Sequence, residues 1–163
     1  DEKALIFTNS AEISAATAEP TTSVFTVNNQ IAENNDNIAY IFAEKKGFSK
    51  FGSYTGNGNA DGPFIYTGFK PAFLLAKESS SSGEGWIMLD SVRNPSNLAK
   101  NSLQANINQA EETLTTKSAD FLSNGFKIRT TDGLQNSSGE TYIYMAFAEE
   151  PLVSSNNIPA TAR

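Results

Sequence analysis

The sequence contains no histidine and no cysteine among its 163 residues. A Ser-His-Asp triad, a Cys-His pair and a metal site built on imidazole or thiolate ligands are therefore impossible, and no disulfide can form. These absences remove the commonest routes to nucleophilic and metal-dependent catalysis. Paired carboxylates remain available for acid–base catalysis.

Positive charge is also scarce, since 12 Lys and Arg face 18 Asp and Glu, for a formal net charge of -6. Nucleic-acid binding needs Lys and Arg concentrated on one face, because phosphate contacts dominate the affinity. The chain has no such cluster, and no apolar run approaches the roughly 20 residues of a membrane-spanning helix. We therefore expect no nucleic-acid partner, no membrane insertion and no cofactor.

The carboxylates do not form an obvious catalytic set. The pairs Glu111–Glu112 and Glu149–Glu150 are adjacent in sequence, and adjacent residues of a strand point to opposite faces. The run from Gly56 to Gly58 lacks the following helix and lysine of a phosphate-binding loop. We predict a protein that is not an enzyme.

The strongest local signals lie in residues 48–77. Aromatic residues recur there among β-branched and small residues, which favours half-buried strands over a helix. Between them, residues 55–63 (TGNGNADGP) have the composition of an ordered turn, because glycine supplies positive φ, Asn and Asp bond their own backbone, and Pro63 forbids a central strand. After Pro71, a new strand is predicted over residues 72–77.

Other apolar, β-branched or aromatic segments predict further strands. They are residues 4–8, 23–27, 38–44, 86–91, 141–149 and, after a turn at Asn124-Gly125, the end of 121–130. Residues 38–44 are nearly all apolar, which predicts a buried strand. The Ser- and Gly-rich residues 78–85 indicate a hairpin loop. A short helix is predicted within residues 98–114, although the Asn-rich positions are mediocre helix formers. The chain is predicted to be all-β.

An internal repeat links two of these strands. Residues 38–44 (IAYIFAE) and 143–149 (IYMAFAE) share Ile, Phe, Ala and Glu at a separation of 105 residues, and an Asn-rich loop precedes each. We interpret residues 1–50 as the back half of one repeat unit and 51–163 as a complete unit with a polar tail, or the whole as one continuous sandwich. The missing front strands are expected either before Asp1 in a longer polypeptide or from a neighbouring chain. Chance similarity of two buried strands is the alternative.

A family resemblance covers most of the chain. The runs FGSYTGNGNADGPFIYTGFKPAFLLAK, DFLSNGFKIRTT, ETYIYMAFAEEPLV and NIPATAR resemble repeated β-rich modules at the C-terminal ends of large virion proteins from tailed bacteriophages, particularly marine ones. The resemblance implies an antiparallel β-sandwich of the jelly-roll or concanavalin-like type. It carries no catalytic residue set.

The resemblance implies a non-catalytic structural protein on the virion exterior, present in multiple copies beside other virion subunits. In one hypothesis it is a tail-fibre or tail-tip module that attaches to a host-surface glycan or protein through loops 55–63, 79–85 and 131–139. In the other it decorates or cements a capsid. A polysaccharide depolymerase is a minor third hypothesis, to be tested at Asp61 and Glu84.

The candidate ligand-binding residues are Tyr54, Asn57, Asn59 and Asp61, in and beside loop 55–63. Tyr54 borders the loop and is predicted to be an exposed aromatic platform of the kind that stacks on sugars, whereas Trp86 opens an apolar strand and is predicted to lie in the core. The alternating oxygen ligands of the loop would suit calcium, but a single carboxylate favours a self-bonded turn. No metal site is predicted.

Overall fold

The computed structural model describes residues 3–4, 10, 13–14, 21, 23–24 and 40–149. Near the start of the chain, β1 (Lys3–Ala4) pairs antiparallel with β2 (Ile13–Ser14). Ser23 and Val24 lie in no strand. Four predicted segments lie wholly or partly outside the described residues. They are the rest of the strands predicted at 4–8 and 23–27, the start of the strand predicted at 38–44, and the tail 151–163.

A six-stranded antiparallel sheet forms one layer of the fold. Its strands, in spatial order, are β3 (Ser49–Thr55), β11 (Thr141–Ala148), β5 (Pro71–Glu78), β6 (Ile87–Asp90), β7 (Asn101–Gln104) and β8 (Glu112–Thr113). The predicted strands at 72–77, 86–91 and 141–149 are confirmed. The hairpin loop predicted at 78–85 connects β5 to β6.

A three-stranded antiparallel sheet forms the second layer. Its order is β4 (Phe64–Tyr66), β10 (Gly125–Ile128) and β9 (Ala119–Leu122). The turn predicted at Asn124-Gly125 connects β9 to β10. One short helix, α1 (Gly133–Asn136), begins after its N-cap Asp132 inside the predicted loop 131–139.

Aromatic side chains from both sheets fill the space between the layers. Tyr54 stacks on Tyr142 with ring centroids 5.0 Å apart, and Phe126 of the small sheet meets Tyr54 and Tyr144 edge to face at 6.1 and 5.2 Å. Edge-to-face and offset arrangements suit the aromatic quadrupole. The predicted antiparallel β-sandwich is therefore confirmed.

The prediction of a buried strand at 38–44 is wrong in its described part. Tyr40, Ile41 and Phe42 are 81%, 71% and 55% exposed, and residues 40–44 belong to no strand. The Ser49 hydroxyl donates to the Ala43 carbonyl at 2.8 Å, and the Phe42 ring contacts Phe51 and Phe147. These contacts hold the segment against the side of the large sheet that faces away from the core, so it does not enter the ladder.

The predicted helix within 98–114 is also wrong. Residues 101–104 form β7, and their backbone pairs with β6. The Asn94 side chain accepts hydrogen bonds from the backbone of Lys100 and Asn101 at 2.9 and 2.6 Å, which fixes the entry into the strand. A weak helical spacing is overridden here by pairing to an existing sheet edge.

The predicted domain boundary at residue 50 falls inside β3. The sandwich therefore begins at or before Ser49, while the division of the chain into two repeat units stays a prediction. Among the described residues, no helix is long and apolar enough to span a membrane.

The central position of Phe126 gives a first prediction. Phe126 is fully buried, whereas Phe64, on the neighbouring strand, is 45% exposed. We expect Phe126→Ala to lower the free energy of unfolding by about 3–5 kcal/mol, because it removes a buried ring and leaves a cavity. Phe64→Ala should cost less than about 1 kcal/mol. Urea denaturation measures both, and equal losses would contradict the assignment of the core.

Candidate functional site

The three loops that the sequence singled out meet at one end of the sandwich. Thr55 at the end of β3 lies opposite Thr141 at the start of β11, and Tyr142 lies opposite Glu78 at the end of β5. Loops 55–63, 79–85 and 131–139 therefore all extend from the same edge. The Gly56 amide donates to the Glu140 carbonyl at 2.9 Å, and the Ser80 hydroxyl donates to the Glu140 carboxylate at 2.6 Å.

Asn136 is the residue that joins loop 55–63 to loop 131–139. Its side chain is completely buried, and its carbonyl oxygen accepts from the Asn57 amide at 2.8 Å. Its amide nitrogen lies within donating distance of the carbonyls of Thr130 and Asn59, at 2.7 and 2.8 Å, and of Asn57 Oδ1 at 3.1 Å. A buried polar group with all its hydrogen bonds made fixes one arrangement of its neighbours.

Loop 55–63 is also bonded internally. Asn57 Oδ1 accepts from the Asn59 amide at 2.9 Å, and Asn59 Oδ1 accepts from the Asp61 amide at 2.8 Å, so two side chains in succession cap the turn as short polar residues commonly do. At Gly56 a Cβ atom would lie 2.2 Å from the Ser137 carbonyl. Only glycine permits this approach, so loop 55–63 packs directly on the backbone of loop 131–139.

These bonds bear on the calcium hypothesis. The side-chain oxygens of Asn57 and Asn59 already accept hydrogen bonds. The Asp61 carboxylate lies 3.0 Å from Lys127 Nζ and 3.5 Å from Arg129 Nη1, and the hydrogen bond from Lys127 lowers the pKa of Asp61. The described residues contain no group of three acidic side chains placed to hold a metal ion. The geometry favours the self-bonded turn.

Of the four candidate residues, the structure separates one from the other three. Asn57, Asn59 and Asp61 are exposed on the loop, but Tyr54 is only 8% exposed and donates its hydroxyl to the Gln135 carbonyl at 2.9 Å. The predicted surface position of Tyr54 is therefore wrong. It faces inward because it lies opposite Tyr142 in the ladder, and burial raises its pKa well above the ordinary value. Trp86 is buried as predicted.

Two exposed aromatic residues lie directly after the loop. Phe64 and Tyr66 on β4 are 45% and 65% exposed, on the outer side of the small sheet. Lys127 on β10 lies opposite Phe64 and holds the exposed Asp61, while the Phe64 ring lies over Gly125, where a Cβ atom would be 2.9 Å away. The period-two alternation of FIY around the buried Ile65 is the signal that could have identified this pair.

A group of buried polar side chains supports the loops from below. Lys77 and Glu78 are 0% and 1% exposed at the end of β5, and the Tyr142 hydroxyl donates to the Gly133 carbonyl at 2.6 Å while accepting from the Ser137 amide at 2.8 Å. The Glu84 carboxylate packs against Gly133. Burial raises the pKa of Glu84 and lowers the pKa of Lys77. Tyr142 and Glu84 thereby tie the loop ends to α1, and of this group only Glu84 was singled out from the sequence.

The family model described as "Domain of unknown function (DUF7483)" matches residues 3–151. The chain belongs to this family. No curated protein and no solved structure matches the chain. The DUF7483 match spans the whole sandwich and all three loops, so the loop end belongs to the family domain.

The hydrogen bonds of the buried Asn136 side chain give a second prediction. We expect Asn136→Ala to lower the free energy of unfolding by about 2–4 kcal/mol, because it leaves buried donors and acceptors of loop 55–63 without partners. Hydrogen exchange at Asn57, whose backbone amide donates to the Asn136 side chain at 2.8 Å, should accelerate more than exchange in β11. The exposed Asn108 provides the matched control Asn108→Ala. Unchanged exchange in loop 55–63 would show that Asn136 does not hold it.

Tyr142 gives a third prediction, on pH. Burial raises its pKa to about 12, whereas an unfolded tyrosine ionises near about 10. The stabilisation from its neutral form is complete below about pH 10 and is lost as the pH rises to about 12. Over this window the free energy of unfolding of wild type should fall more steeply than that of Tyr142→Phe, by up to about 1.4 kcal/mol per pH unit. Urea denaturation measures the free energy of unfolding at each pH. The same pH dependence in wild type and Tyr142→Phe would contradict the prediction.

Proposed function

We propose that this protein is a non-catalytic structural module on the exterior of a tailed-bacteriophage particle, and that it attaches to a host-surface glycan or protein as part of a tail fibre or tail tip. The virion setting is supported by the motif resemblance described above. The attachment role is supported by the loop end and the aromatic pair beside it.

The observation that carries the attachment role is the surface formed by Phe64, Tyr66, Asp61 and Lys127, here called the aromatic–polar surface. Exposed aromatic faces stack on the apolar faces of sugar rings, while charged and amide groups beside them bond the hydroxyls. Asn57 and Asn59 extend this surface along a loop that Asn136 holds rigid. Such a surface loses little conformational freedom when it binds.

Capsid decoration or cementing is the second candidate. It is favoured by the exposed apolar segment Tyr40–Phe42 and by the apolar side chains on the outer side of the large sheet, which suit contacts with neighbouring subunits. A cement protein would bind only the assembled lattice, whereas an attachment module binds its ligand as an isolated chain.

A polysaccharide depolymerase is the minor alternative. Burial and the nearby carboxylates of Asp132 and Glu78 raise the pKa of Glu84, a feature of general acids in glycosidases. Asp61, however, is paired with two cations on the exposed loop. If the isolated chain shortens a host polysaccharide, and Glu84→Gln and Asp61→Asn abolish that activity, the non-catalytic assignment is overturned.

Binding of the purified chain to host cells and to an array of bacterial surface glycans is the direct test, and it gives a fourth prediction. The double variant Phe64→Ala/Tyr66→Ala should weaken binding about fivefold to tenfold or more, since each aromatic contact contributes on the order of 1 kcal/mol. The control Ile107→Ala/Leu114→Ala removes two side chains of similar exposure, 47% and 43%, and should not change it. Binding only to assembled particles would replace attachment with the cement role.

A further inference from the structure

The aromatic–polar surface continues into a row of four charged side chains. Asp61 Oδ1 lies 3.0 Å from Lys127 Nζ and 3.5 Å from Arg129 Nη1. Arg129 Nε in turn lies 3.4 Å from Asp120 Oδ2. The side chains of Asp61 and Arg129 are 78% and 39% exposed, so the row is open to solvent. Two cations alternate with two carboxylates, and the row carries no net charge.

This row lies directly beside the aromatic pair. Lys127 is flanked in the small sheet by Phe64 on one side and by Asp120 on the other. Tyr66 lies opposite Gly125, and the Phe64 ring occupies the space that a side chain at Gly125 would need. The outer side of the small sheet therefore presents aromatic rings and alternating hydrogen-bonding groups next to each other.

The size of the aromatic pair indicates a small contact. Phe64 and Tyr66 are 45% and 65% exposed, so with about 200 Å² for each side chain they expose on the order of 200 Å² together. A specific protein interface buries roughly 800 Å² on each partner, and its core is depleted of charged residues. Here charged side chains follow the rings at once. The pair suits stacking on one or two sugar rings better than the core of a protein interface.

The alternating charges indicate what kind of sugar fits. A hydroxyl group both donates and accepts hydrogen bonds, so neighbouring hydroxyls can bond a carboxylate and a cation that lie side by side. An acidic group on the ligand would instead meet the like charge of Asp61, whose pKa is lowered by its hydrogen bond with Lys127. The net charge of -6 also repels anionic polymers. The charge pattern thus favours an uncharged ligand.

We propose that the aromatic–polar surface binds an uncharged saccharide. Its rings stack on Phe64 and Tyr66, and its hydroxyls bond Asp61 and the cations beside it. An acidic glycan and a protein receptor are the two alternatives that this arrangement disfavours. The inference rests on the attachment role proposed above and names the class of ligand that this role leaves open.

Asp61→Asn gives the fifth prediction, because the sign of its effect differs between the ligand classes. The substitution removes one charge and keeps the shape of the side chain. Binding of the isolated chain to an array of bacterial surface glycans, sorted into uncharged and acidic ones, should be confined to uncharged glycans. Asp61→Asn should weaken this binding about fivefold or more, since a charged acceptor of the hydroxyls is lost. An acidic ligand would bind the variant more tightly, because Lys127 and Arg129 become free to pair with it.

The matched control is Glu44→Gln. Glu44 is another exposed carboxylate paired with a lysine, 2.7 Å from Lys50 Nζ, and its neutralisation should leave glycan binding unchanged. Unchanged or tighter binding by Asp61→Asn would overturn the uncharged class, and so would equal losses in the two variants.

The salt dependence of wild-type binding tests the same inference without a substitution. Between about 0.1 and 1 M sodium chloride the Debye length falls from about 10 to 3 Å. Affinity for an uncharged saccharide should change less than about twofold over this range, whereas a tenfold fall would identify a charged ligand and overturn the proposal.

Two further outcomes separate this inference from the attachment role. If the chain binds host cells but no glycan, and protease treatment of the cells removes the binding, the receptor is a protein. The uncharged-saccharide class is then overturned, while the attachment role stands. Binding to neither cells nor glycans would contradict the attachment role itself, and the inference would fall with it.

Discussion

The antiparallel pairing of β3 with β11 determines which side chains of the large sheet face the core and which face outward. It places Tyr54 opposite Tyr142 and Phe51 opposite Met145, which assigns one set of alternate residues to the core and the other to the outer face. A slip of one residue would exchange the two sets, because side chains alternate along a strand. The stacked tyrosines resist such a slip, since each also bonds a carbonyl of α1.

The same pairing creates the loop end. It brings loops 55–63 and 131–139 together, and β5 adds loop 79–85 from the other side of β11. The loops then depend on polar bonds rather than on apolar burial, with Asn136 fully buried between them. A surface fixed in this way can present aromatic and amide groups in one geometry while most of its own side chains remain in water. The domain thus combines an apolar outer face with a loop end that is held together by polar bonds.

Sequence reasoning identified the strands whose signal is local and strong. Alternation in residues 141–149 and turn chemistry in residues 55–63 were sufficient, because each specifies its conformation without help from distant residues. It failed at residues 38–44, whose apolar composition is equally compatible with a buried strand and with a segment lying on a sheet. It failed again at Tyr54, because whether a strand residue faces the core or the solvent depends on a register set 88 residues away at Tyr142. The buried pair Lys77–Glu78 gave no signal at all, since Glu78 lies against Tyr142, which is 64 residues away in the sequence.

The long separation between β3 and β11 has a consequence for how the protein folds. Thr55 and Thr141, which lie opposite each other, are 86 residues apart in the chain, so the loop between them must close before either strand gains its full ladder. Such non-local antiparallel pairing slows folding. Among the described residues β11 is the last strand of the sandwich in the sequence, so β3 has no partner strand, and β5 has one unpaired edge, until residues 141–148 have been made. A partly folded chain that exposes such strand edges is prone to aggregation until Thr141–Ala148 can pair with them.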